Sequence, residues 1–558
     1  MVAGHRLRSS LRATTLVGVG LCLAFTLLCA GPRAALAHEK VTITQFVDPL
    51  PMLPVAQPTS VDPDGTQHYD IVMTQFQQQM AHGLPPTTVW GYNGSVHGPI
   101  IAVTKGVPAV ITWDNELPLV PLLTIDHLLM GADLLTPDVR TVVHVHGAHV
   151  PPAIDCLPEQ WFTPGHSVTN TYPNAQRAAD LIYHDHALGV TRLNVYAGLI
   201  GGYVIVDPLE AALKLPAGKF DVALVVQDKT FNRNPDSPRF GQLVYPATWV
   251  PEYFGNTITV NGNAWPYEKV QARKYRFRVY NGANDRLFNF RFSNGMSFWQ
   301  IGTDGGLLAH PAKISRLLLG PGERADIVVN FATHRGEHIL LRNTAATPYP
   351  TGDPDDPGTT GRVMQFRVGT ARVSDPSRLP ATLSTDIPSA ASLVSQAVHT
   401  RDITLSEIPD LTHPNPEQPG AYLPEPLLEG LHYGDPVTIT PKLGTTEIWR
   451  YVNLTIDAHP MHEHDVMNRI VARIPFDALA YWHDKVLDRL KPLEHYFTGP
   501  PVKPSAREDG WKDTVRCPPG YVTEVVMTLT DFTGAYVYHC HILSHEEHDM
   551  MRPFEVVP

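Results

Sequence analysis

Short apolar runs, broken every few positions by glycine, proline, asparagine or aspartate, recur from about residue 38 to the end of the 558-residue chain. Segments 98–118 and 197–208 are typical: each is an apolar run that ends in turn residues, which predicts β-strands. Segment 476–490 is the clearest helix candidate, and we expect little other helix. The pattern therefore predicts an all-β protein.

A repeated layout divides the chain into three parts. Each copy is predicted to form a turn, a strand, a small loop and a strand that ends in asparagine, and the copies run from Asn93 to Asn115, from Asn261 to Asn281 and from Tyr433 to Asn453. Three β-sandwich units of roughly 170 residues each fit this length. We place them at residues 38–210, 211–371 and 401–558, with a linker rich in Ser, Pro and Ala at 372–400.

Composition supports this picture and narrows the function. The 52 prolines and 41 glycines favour many loops and turns, as in all-β architectures, over long helices. The net charge of −12 argues against a nucleic-acid partner.

The first 37 residues have the layout of a cleavable signal peptide. Three arginines precede an apolar run at residues 16–30, and Ala35-Leu36-Ala37 offers a cleavage site with small residues. A membrane anchor is the alternative, but about 15 apolar residues are short for a membrane span. We therefore predict export of the chain, with the mature protein in the periplasm or outside the cell and not inserted in a membrane.

Three cysteines remain after removal of this leader: Cys156, Cys517 and Cys540. In an oxidising compartment Cys156 and Cys517 could form a disulfide, or both could stay as thiols. The sequence gives no distance between them and leaves both alternatives open.

Histidine occurs in four His-x-His pairs, where chance would give roughly one. Side chains alternate faces along a strand, so both rings of a pair project from the same face. Neutral imidazoles suit copper, whereas a zinc site needs only four ligands and these pairs exceed that number. The pairs are His144/His146, His184/His186, His462/His464 and His539/His541.

Cys540 lies between the two histidines of the last pair and must point to the opposite face of the strand. A blue-copper site uses one thiolate, two histidines and a weak thioether. His545 and Met550 follow in the same loop, and His459 can supply the second imidazole from another loop. Met551 is the rival for the thioether, but spacing favours Met550. A metal at Cys540 would be only a few bonds from metals held by the flanking histidines.

These motifs resemble the four copper signatures of the multicopper oxidases: HVHG (144–147), YHDH (183–186), HPMHEH (459–464) and HCHILSHEEHDM (539–550). Segments 184–198, 510–515 and 550–556 resemble the bacterial branch that contains spore-coat laccases and bilirubin oxidases. The resemblance extends from about residue 40 to 558. The predicted leader is a departure, because a spore-coat protein would not need one.

The resemblance implies three cupredoxin domains, each a Greek-key β-sandwich or barrel, and four copper ions. The first and third domains would share a trinuclear cluster, and the middle domain would hold no copper. By motif position His144 and His462 would bind the type 2 copper. The type 1 copper would be bound by His459, Cys540, His545 and Met550, and the type 3 pair by His146, His184, His186, His464, His539 and His541.

The resemblance also implies a laccase-like activity. A small reducing substrate, such as a phenol, an aromatic amine or a bilirubin-type pigment, would lose single electrons at the type 1 copper. Four electrons would reduce O₂ to water at the cluster. Water formation consumes protons, and Asp155 and Glu546 match the family's acids on the oxygen and water paths. The alternative for Glu546 is a solvated loop acid. We expect a monomer.

Two other functions remain open. The same copper sites could oxidise Cu(I), Fe(II) or Mn(II), but the 12 methionines are scattered, and Asp457 alone is not enough for a ferroxidase. A copper-binding or electron-transfer protein without oxidase turnover would be expected to have lost ligands, whereas this chain has a full set.

Overall fold

A computed structural model describes residues 41–558. The predicted signal peptide at 1–37 lies outside the described residues. Strands dominate the described chain, as the sequence pattern predicts. None of the helices within 41–558 has the length and hydrophobicity that crossing a membrane would require.

The first block forms two sheets. β1, β2, β3, β5 and β7 make a five-stranded sheet, and β4, β9, β8 and β6 make a four-stranded one. Along β5 the side chains of Ala109, Ile111 and Trp113 alternate into the core, which is how one face of a strand becomes buried. The strands are β1 Ser60–Val61, β2 Gln67–Gln78, β3 Thr87–Tyr92, β4 Gly98–Thr104, β5 Ala109–Asn115, β6 Val143–His146, β7 Ser167–Tyr172, β8 Ala179–Asp185 and β9 Ile200–Val206.

The middle block also consists of two large sheets. A seven-stranded sheet runs β12-β11-β10-β14-β19-β16-β17, and a five-stranded sheet runs β13-β23-β20-β15-β18. Phe277, Phe331 and Phe366 pack edge to face and tilted between them. The strands are β10 Asp221–Lys229, β11 Thr257–Val260, β12 Asn263–Ala264, β13 Tyr267–Ala272, β14 Lys274–Asn281, β15 Phe288–Phe292, β16 Phe298–Thr303, β17 Gly306–Ile314, β18 Leu317–Leu319, β19 Arg324–Asn330, β20 His338–Arg342, β21 Ala346–Thr347, β22 Asp353–Pro354 and β23 Arg362–Arg372.

The third block repeats the two-sheet arrangement of the first. A five-stranded sheet runs β25-β24-β26-β30-β28, and a four-stranded sheet runs β29-β27-β31-β32. Trp449 and Tyr538 meet edge to face in the core between them. The strands are β24 Ala397–Pro414, β25 Tyr422–Leu428, β26 Thr446–Asn453, β27 His459–Glu463, β28 Asn468–Pro475, β29 Thr514–Cys517, β30 Tyr521–Thr528, β31 Gly534–Cys540 and β32 Met551–Val556.

Helices are few and short. The helix predicted within 476–490 is confirmed by α4, which begins at Ala478 with the side chain of Asp477 as its N-cap. Within residues 41–558 the α-helices are α1 Pro152–Asp155, α2 Thr191–Ala197, α3 Ala390–Val394, α4 Ala478–Val486 and α5 Leu543–Glu546, and short 3₁₀-helices lie at Pro208–Leu213, Gly218–Phe220 and Leu493–Tyr496.

The fold class is therefore all-β, with three cupredoxin-like sandwich units. The segment predicted as a linker, 372–400, contains α3 and the first residues of β24. The proposed domain boundaries remain predictions.

The disulfide alternative is wrong in this structure. Cys156 and Cys517 are both free thiols, and both are buried. The Cys156 thiol donates to the carbonyl of Ile154, and Cys517 lies in β29 opposite His459 of β27. The two cysteines thus belong to different sandwich units and contact their own surroundings.

Candidate metal centre

The four His-x-His pairs lie on or immediately after strands of the two four-stranded sheets. In the first block, β6 and β8 are antiparallel neighbours, and their register sets His144 opposite His184. In the third block, β27 and β31 pair in the same way and set His462 opposite His539. Strand pairing within each sheet therefore brings its four histidines close together, independently of the contact between the two blocks.

The eight rings form one buried cluster between the first and third blocks. His144 stacks on His464 with ring centroids 4.0 Å apart, and His146 stacks on His462 at 3.6 Å. Other rings meet across the interface without stacking; for example, the centroids of His184 and His541 are 5.3 Å apart and those of His186 and His539 are 5.1 Å apart. Every predicted ligand of the cluster is brought together.

Ring nitrogens left without a hydrogen-bond partner indicate where a metal could bind. His144, His184 and His462 each donate Nδ1–H to a backbone carbonyl, which leaves Nε2 free. His146 is the reverse, because its Nε2 contacts Asp513 and its Nδ1 has no partner. The unpartnered buried nitrogens of the cluster are His144 Nε2, His146 Nδ1, His184 Nε2, His462 Nε2 and both ring nitrogens of His186 and His541.

Buried ring nitrogens without a hydrogen-bond partner lower the stability of a protein unless a ligand binds them. His464 Nε2 and His539 Nε2 lie 3.3 Å apart, on the neighbouring strands β27 and β31 of the third block or immediately after them. Ligand atoms of His186, His464 and His539 all lie within 4.8 Å of one another, as do those of His144, His462 and His464. The residues present therefore fit metal ions bound by imidazole.

Burial keeps these rings in the neutral form that binds metals. Desolvation lowers the pKa of His184 and His539 to about 4 and that of His186 to about 3. Desolvation, with the neighbouring imidazoles, also lowers the pKa of His144 and His462 well below the ordinary value. Protons therefore do not compete with a metal here near neutral pH.

A second candidate site forms around Cys540, on the other side of β31. Its Sγ lies 3.6 Å from Nδ1 of His459 and 3.8 Å from Nδ1 of His545. The three side chains are fully buried, and their ligand atoms lie within 4.8 Å of one another. One thiol and two imidazoles are the donor set that favours copper.

The methionines near this site separate into two environments. Met550 is fully buried in the same apolar cluster as Cys540, and its backbone pairs with both Cys540 and His545. Met551 packs in a different cluster, against Leu188 and Val537. The packing favours Met550 as the fourth member of the site.

The chemistry of Cys540 makes metal entry a proton-releasing event. Burial raises the pKa of its thiol well above the ordinary value. The free chain therefore holds a neutral thiol, and a metal must displace that proton to form the thiolate.

Asp155 and Glu546 both lie against the histidine cluster. Asp155, at the end of α1, accepts from Nδ1 of His464 at 2.7 Å, and burial raises its pKa well above the usual range. Glu546, in α5, has its carboxylate oxygens 3.4 Å from Nδ1 of His186 and 3.1 Å from Nδ1 of His539. Desolvation raises the pKa of Glu546 to about 7, against the opposing effect of His186. Glu546 is 1% exposed, so the solvated-loop alternative does not describe it.

Other residues contact the centre without having been singled out from the sequence. Asp513 holds one histidine of the first block and one of the third, and it lies in segment 510–515, which the sequence marks only by its family resemblance. Arg324 pairs with Asp513 from the middle block, and no sequence pattern pointed to it. Glu252 and Glu407 lie close to Asp457 near the Cys540 site. The three acids are far apart in the sequence, so no local motif predicts that they come together.

The comparisons with known proteins agree with this geometry. The sequence matches family profiles described as multicopper oxidase over residues 135–210, 221–363 and 403–558. It is 40% identical to a laccase of Bacillus subtilis over 92% of this chain and 99% of that protein. It is 36% identical to a laccase of Bacillus stratosphericus over 93% of this chain and 100% of that protein.

The structure is similar to that of McoA, a multicopper oxidase from the hyperthermophile Aquifex aeolicus. The TM-score is 0.70 at 25% sequence identity, and the match covers 93% of this chain and 100% of that one. Fold, donor set and sequence agree over nearly the whole length. The chain belongs to the multicopper oxidase family.

Proposed function

We propose that this laccase-like, copper-dependent oxidase removes single electrons from phenols or aromatic amines at the Cys540 site and passes them to O₂ at the histidine cluster. Bound copper would supply the redox chemistry: one-electron oxidation of the donor and four-electron reduction of O₂ to water. Four copper ions would bind, one of them held by His459, Cys540, His545 and Met550. The other three would be held by the eight clustered histidines, with His144 and His462 on the type 2 copper.

One observation carries this proposal. The peptide chain that supplies the Cys540 thiol also supplies His539 and His541, which belong to the other cluster. A thiolate and two imidazoles of adjacent residues link the two sites through few covalent bonds. An electron can therefore move between them without a mobile carrier.

The buried acids would serve the oxygen chemistry. Reduction of O₂ to water takes up four protons, and a carboxyl with a pKa near 7 can both give and regain a proton at neutral pH. Glu546 meets that condition and lies within reach of two cluster histidines. Asp155 would orient His464 and relay protons from the other side.

Export by the predicted leader, bilirubin-type donors and a monomeric state remain predictions as well. Neither relative named above is described as a bilirubin oxidase.

A metal-ion oxidase is the second candidate, and one observation favours it. Glu252, Glu407 and Asp457 converge near the Cys540 site from two different blocks. Burial, and then repulsion from Asp457, raises the pKa of Glu407 to about 8; burial, Asp457, Asp285 and Glu407 raise that of Glu252 as well. Mutual repulsion of this kind is relieved when a cation binds, so these acids could receive Fe(II), Cu(I) or Mn(II).

Oxygen uptake by the copper-loaded protein distinguishes the two. We expect uptake with phenols and aromatic amines, with water and not peroxide as the product. Bilirubin, Fe(II), Cu(I) and Mn(II) should be measured in parallel. Turnover of a metal ion alone would refute the phenol and amine proposal and support the acidic site.

The Cys540→Ser variant tests the electron path. We expect it to lose the blue colour and the oxidase activity together, because no other thiol reaches His459 and His545 in the described structure. Cys517→Ala, which removes a buried thiol from the same block, is the matched control and should stay blue. A Cys540→Ser protein that remained blue would disprove the assignment.

A further inference from the structure

The middle block carries none of the candidate ligands, yet one of its loops lies against the histidine cluster. This loop, residues 320–323, connects β18 to β19, which begins at Arg324. Gly322 has φ +77°, and a Cβ placed there would lie 2.6 Å from Cδ2 of His541. The loop therefore approaches the imidazole as closely as backbone can, and only glycine fits both the contact and the left-handed conformation.

Arg324, at the end of this loop, is 1% exposed and touches all three blocks. Its two terminal nitrogens donate to the two carboxylate oxygens of Asp513, at 2.6 Å each. Its Nε donates to the carbonyl of Asp180 in the first block at 2.8 Å. A two-pronged contact of this kind fixes the plane of the carboxylate as well as its charge.

Asp513 in turn holds two candidate ligands from opposite ends of the chain. Its carboxylate accepts from Nε2 of His146 at 2.9 Å, and its backbone carbonyl accepts from Nδ1 of His462 at 2.7 Å. The nitrogens left over, Nδ1 of His146 and Nε2 of His462, are buried and unpartnered. Asp513 thus decides which nitrogen of each ring is free to bind, together at His146 with Oγ1 of Thr514, which lies 2.9 Å from the same Nε2.

The same carboxylate is close enough to act as a ligand itself. Ligand atoms of His146, His462 and Asp513 lie within 4.8 Å of one another. A carboxylate with no fixed partner in a dry interior would turn toward a bound cation or take up a proton, and in either case release His146. The guanidinium of Arg324 occupies both oxygens and prevents this.

We propose that Arg324 and Asp513 form a positioning pair through which the copper-free middle block shapes the trinuclear site, by holding His146 with its Nδ1 toward the metal. This inference rests on the proposed copper sites. It assigns the middle block a direct part in copper binding that its lack of ligands does not suggest.

The test compares Arg324→Met with Arg276→Met in the holoenzyme. Arg276 is buried on β14 of the same sheet, and its ion-pair partners are Asp326 and Asp221 rather than a residue that holds a cluster histidine, so its loss is the matched loss of a buried ion pair. Copper per chain, competition with a chelator, and the paramagnetic resonance of type 2 copper are measured beside the blue absorption.

We expect Arg324→Met to weaken copper binding at the cluster by about 10- to 100-fold, the usual effect of losing a residue that orients a ligand. The blue absorption of the Cys540 site should persist. Arg276→Met should keep wild-type copper content and spectra, whatever it does to stability. Arg324→Lys keeps the charge without the two-pronged contact, so its copper affinity at the cluster should lie between those of the wild type and Arg324→Met.

Wild-type copper affinity and spectra in Arg324→Met would overturn the positioning pair and leave the proposed function standing. A wild-type chain that binds no copper would refute the proposed function and the pair together. If Arg324→Met does not fold, Arg324→Lys is decisive: weakened cluster copper with intact blue colour supports the pair, and a wild-type titration overturns it.

Discussion

Individual side chains have different roles at this centre, and Glu546 shows how strongly burial can raise the pKa of one carboxyl group. Its carboxylate oxygens have no hydrogen-bond partner among the described residues, and its neighbours are two cluster histidines. A carboxyl in that setting holds a proton near neutral pH because the surroundings cannot solvate its charge.

We expect Glu546→Gln to slow O₂ reduction by on the order of 100-fold, the scale of general acid catalysis. The amide keeps the size of the side chain but cannot transfer a proton. The blue absorption and copper content should be unchanged. Turnover under excess donor, measured with rapid reoxidation of the reduced protein by O₂, checks this.

Glu547→Gln is the control for that variant. Glu547 is equally buried but pairs with the side chain and backbone of Arg192 rather than with cluster histidines. We expect it to lower stability and to leave the rate of reoxidation nearly unchanged. Equal slowing by both variants would mean that loop packing, not proton supply, is at issue.

Sequence reasoning reaches residues whose role depends on local spacing. Cys540 and its flanking histidines are adjacent, so strand alternation alone separates their faces. Arg324 and Asp513 are 189 positions apart, and their meeting depends on how two blocks dock. No local pattern encodes such a contact, which is why the sequence did not reveal it.

At the scale of elements, the ligand loop from α5 to β32 is held from outside by a chain of buried polar groups. Trp249 donates from Nε1 to the carbonyl of Ser544, and its backbone N–H donates to Asp126. His548 bonds to Asp410 at 2.7 Å, and His413 bridges Asp410 to Asp126. The loop is thus fastened to segments of all three blocks.

His413 gives this fastening a pH dependence. Burial opposes its charge, but hydrogen bonds to Asp126 and Asp410 outweigh burial and raise its pKa above the ordinary value. Asp410 stays ionised because hydrogen bonds, above all from Thr412, outweigh its own burial and lower its pKa to about 2. The fold therefore favours protonated His413, and that stabilisation is complete below about pH 6.5 and lost as the pH rises through the raised pKa.

We expect Asp410→Asn to lower the free energy of unfolding by about 1.5–3 kcal/mol at pH 6, the range for hydrogen bonds to charged groups. The loss should be smaller at pH 9, because the contribution of protonated His413 falls as the pH rises through its raised pKa. Urea unfolding at the two pH values measures it. Asp375→Asn, which breaks a pair with Arg273 and Lys274, should show no such change with pH.

The strands that carry the histidines were foreseeable, but their ends were not. His186, His464 and His541 lie one residue beyond β8, β27 and β31. Backbone pairing nevertheless reaches these residues, because the N–H of His541 bonds to the carbonyl of Pro460 in register with β27, and the N–H of His186 bonds in the same way to the carbonyl of Val142. Hydrophobic alternation predicts such a strand but not the residue at which it ends.

For the whole molecule, the histidine cluster is also an interface between the first and third blocks. Both stacked pairs cross that interface. Metal bound there would join two sheets that already meet through packing and through hydrogen bonds such as that between Asp155 and His464, so its binding energy adds to the stability of the docked state.

We expect removal of all copper to loosen this docking as well as to stop the chemistry. Stabilisation by a bound ligand is about 2.7 kcal/mol at 100 times its dissociation constant. The copper-free chain should therefore melt at a lower temperature and be cleaved faster by protease. Cys540→Ser, which spares the cluster, should retain most of the stability of the holoenzyme; an equal fall would place the effect at the Cys540 site instead.

The all-β class and the threefold repeat followed from the sequence because turn residues and apolar runs are local. The relative placement of the blocks did not, since it depends on surfaces such as those around Arg324 and Gly322. Local sequence patterns therefore predict each β-sandwich, whereas the histidine cluster between the sandwiches depends on how they dock.

The split origin of the cluster also sets an order of events during synthesis. The first four histidines are complete at residue 186, whereas the last arrives at 541. At about 5–20 residues per second, the ribosome needs on the order of 20 to 70 s to make the chain between them. Throughout that interval half of a metal site exists with nothing opposite it. A copper ion captured then would lack its remaining partners, so faithful assembly requires that the metal arrive only after the last strand has been made.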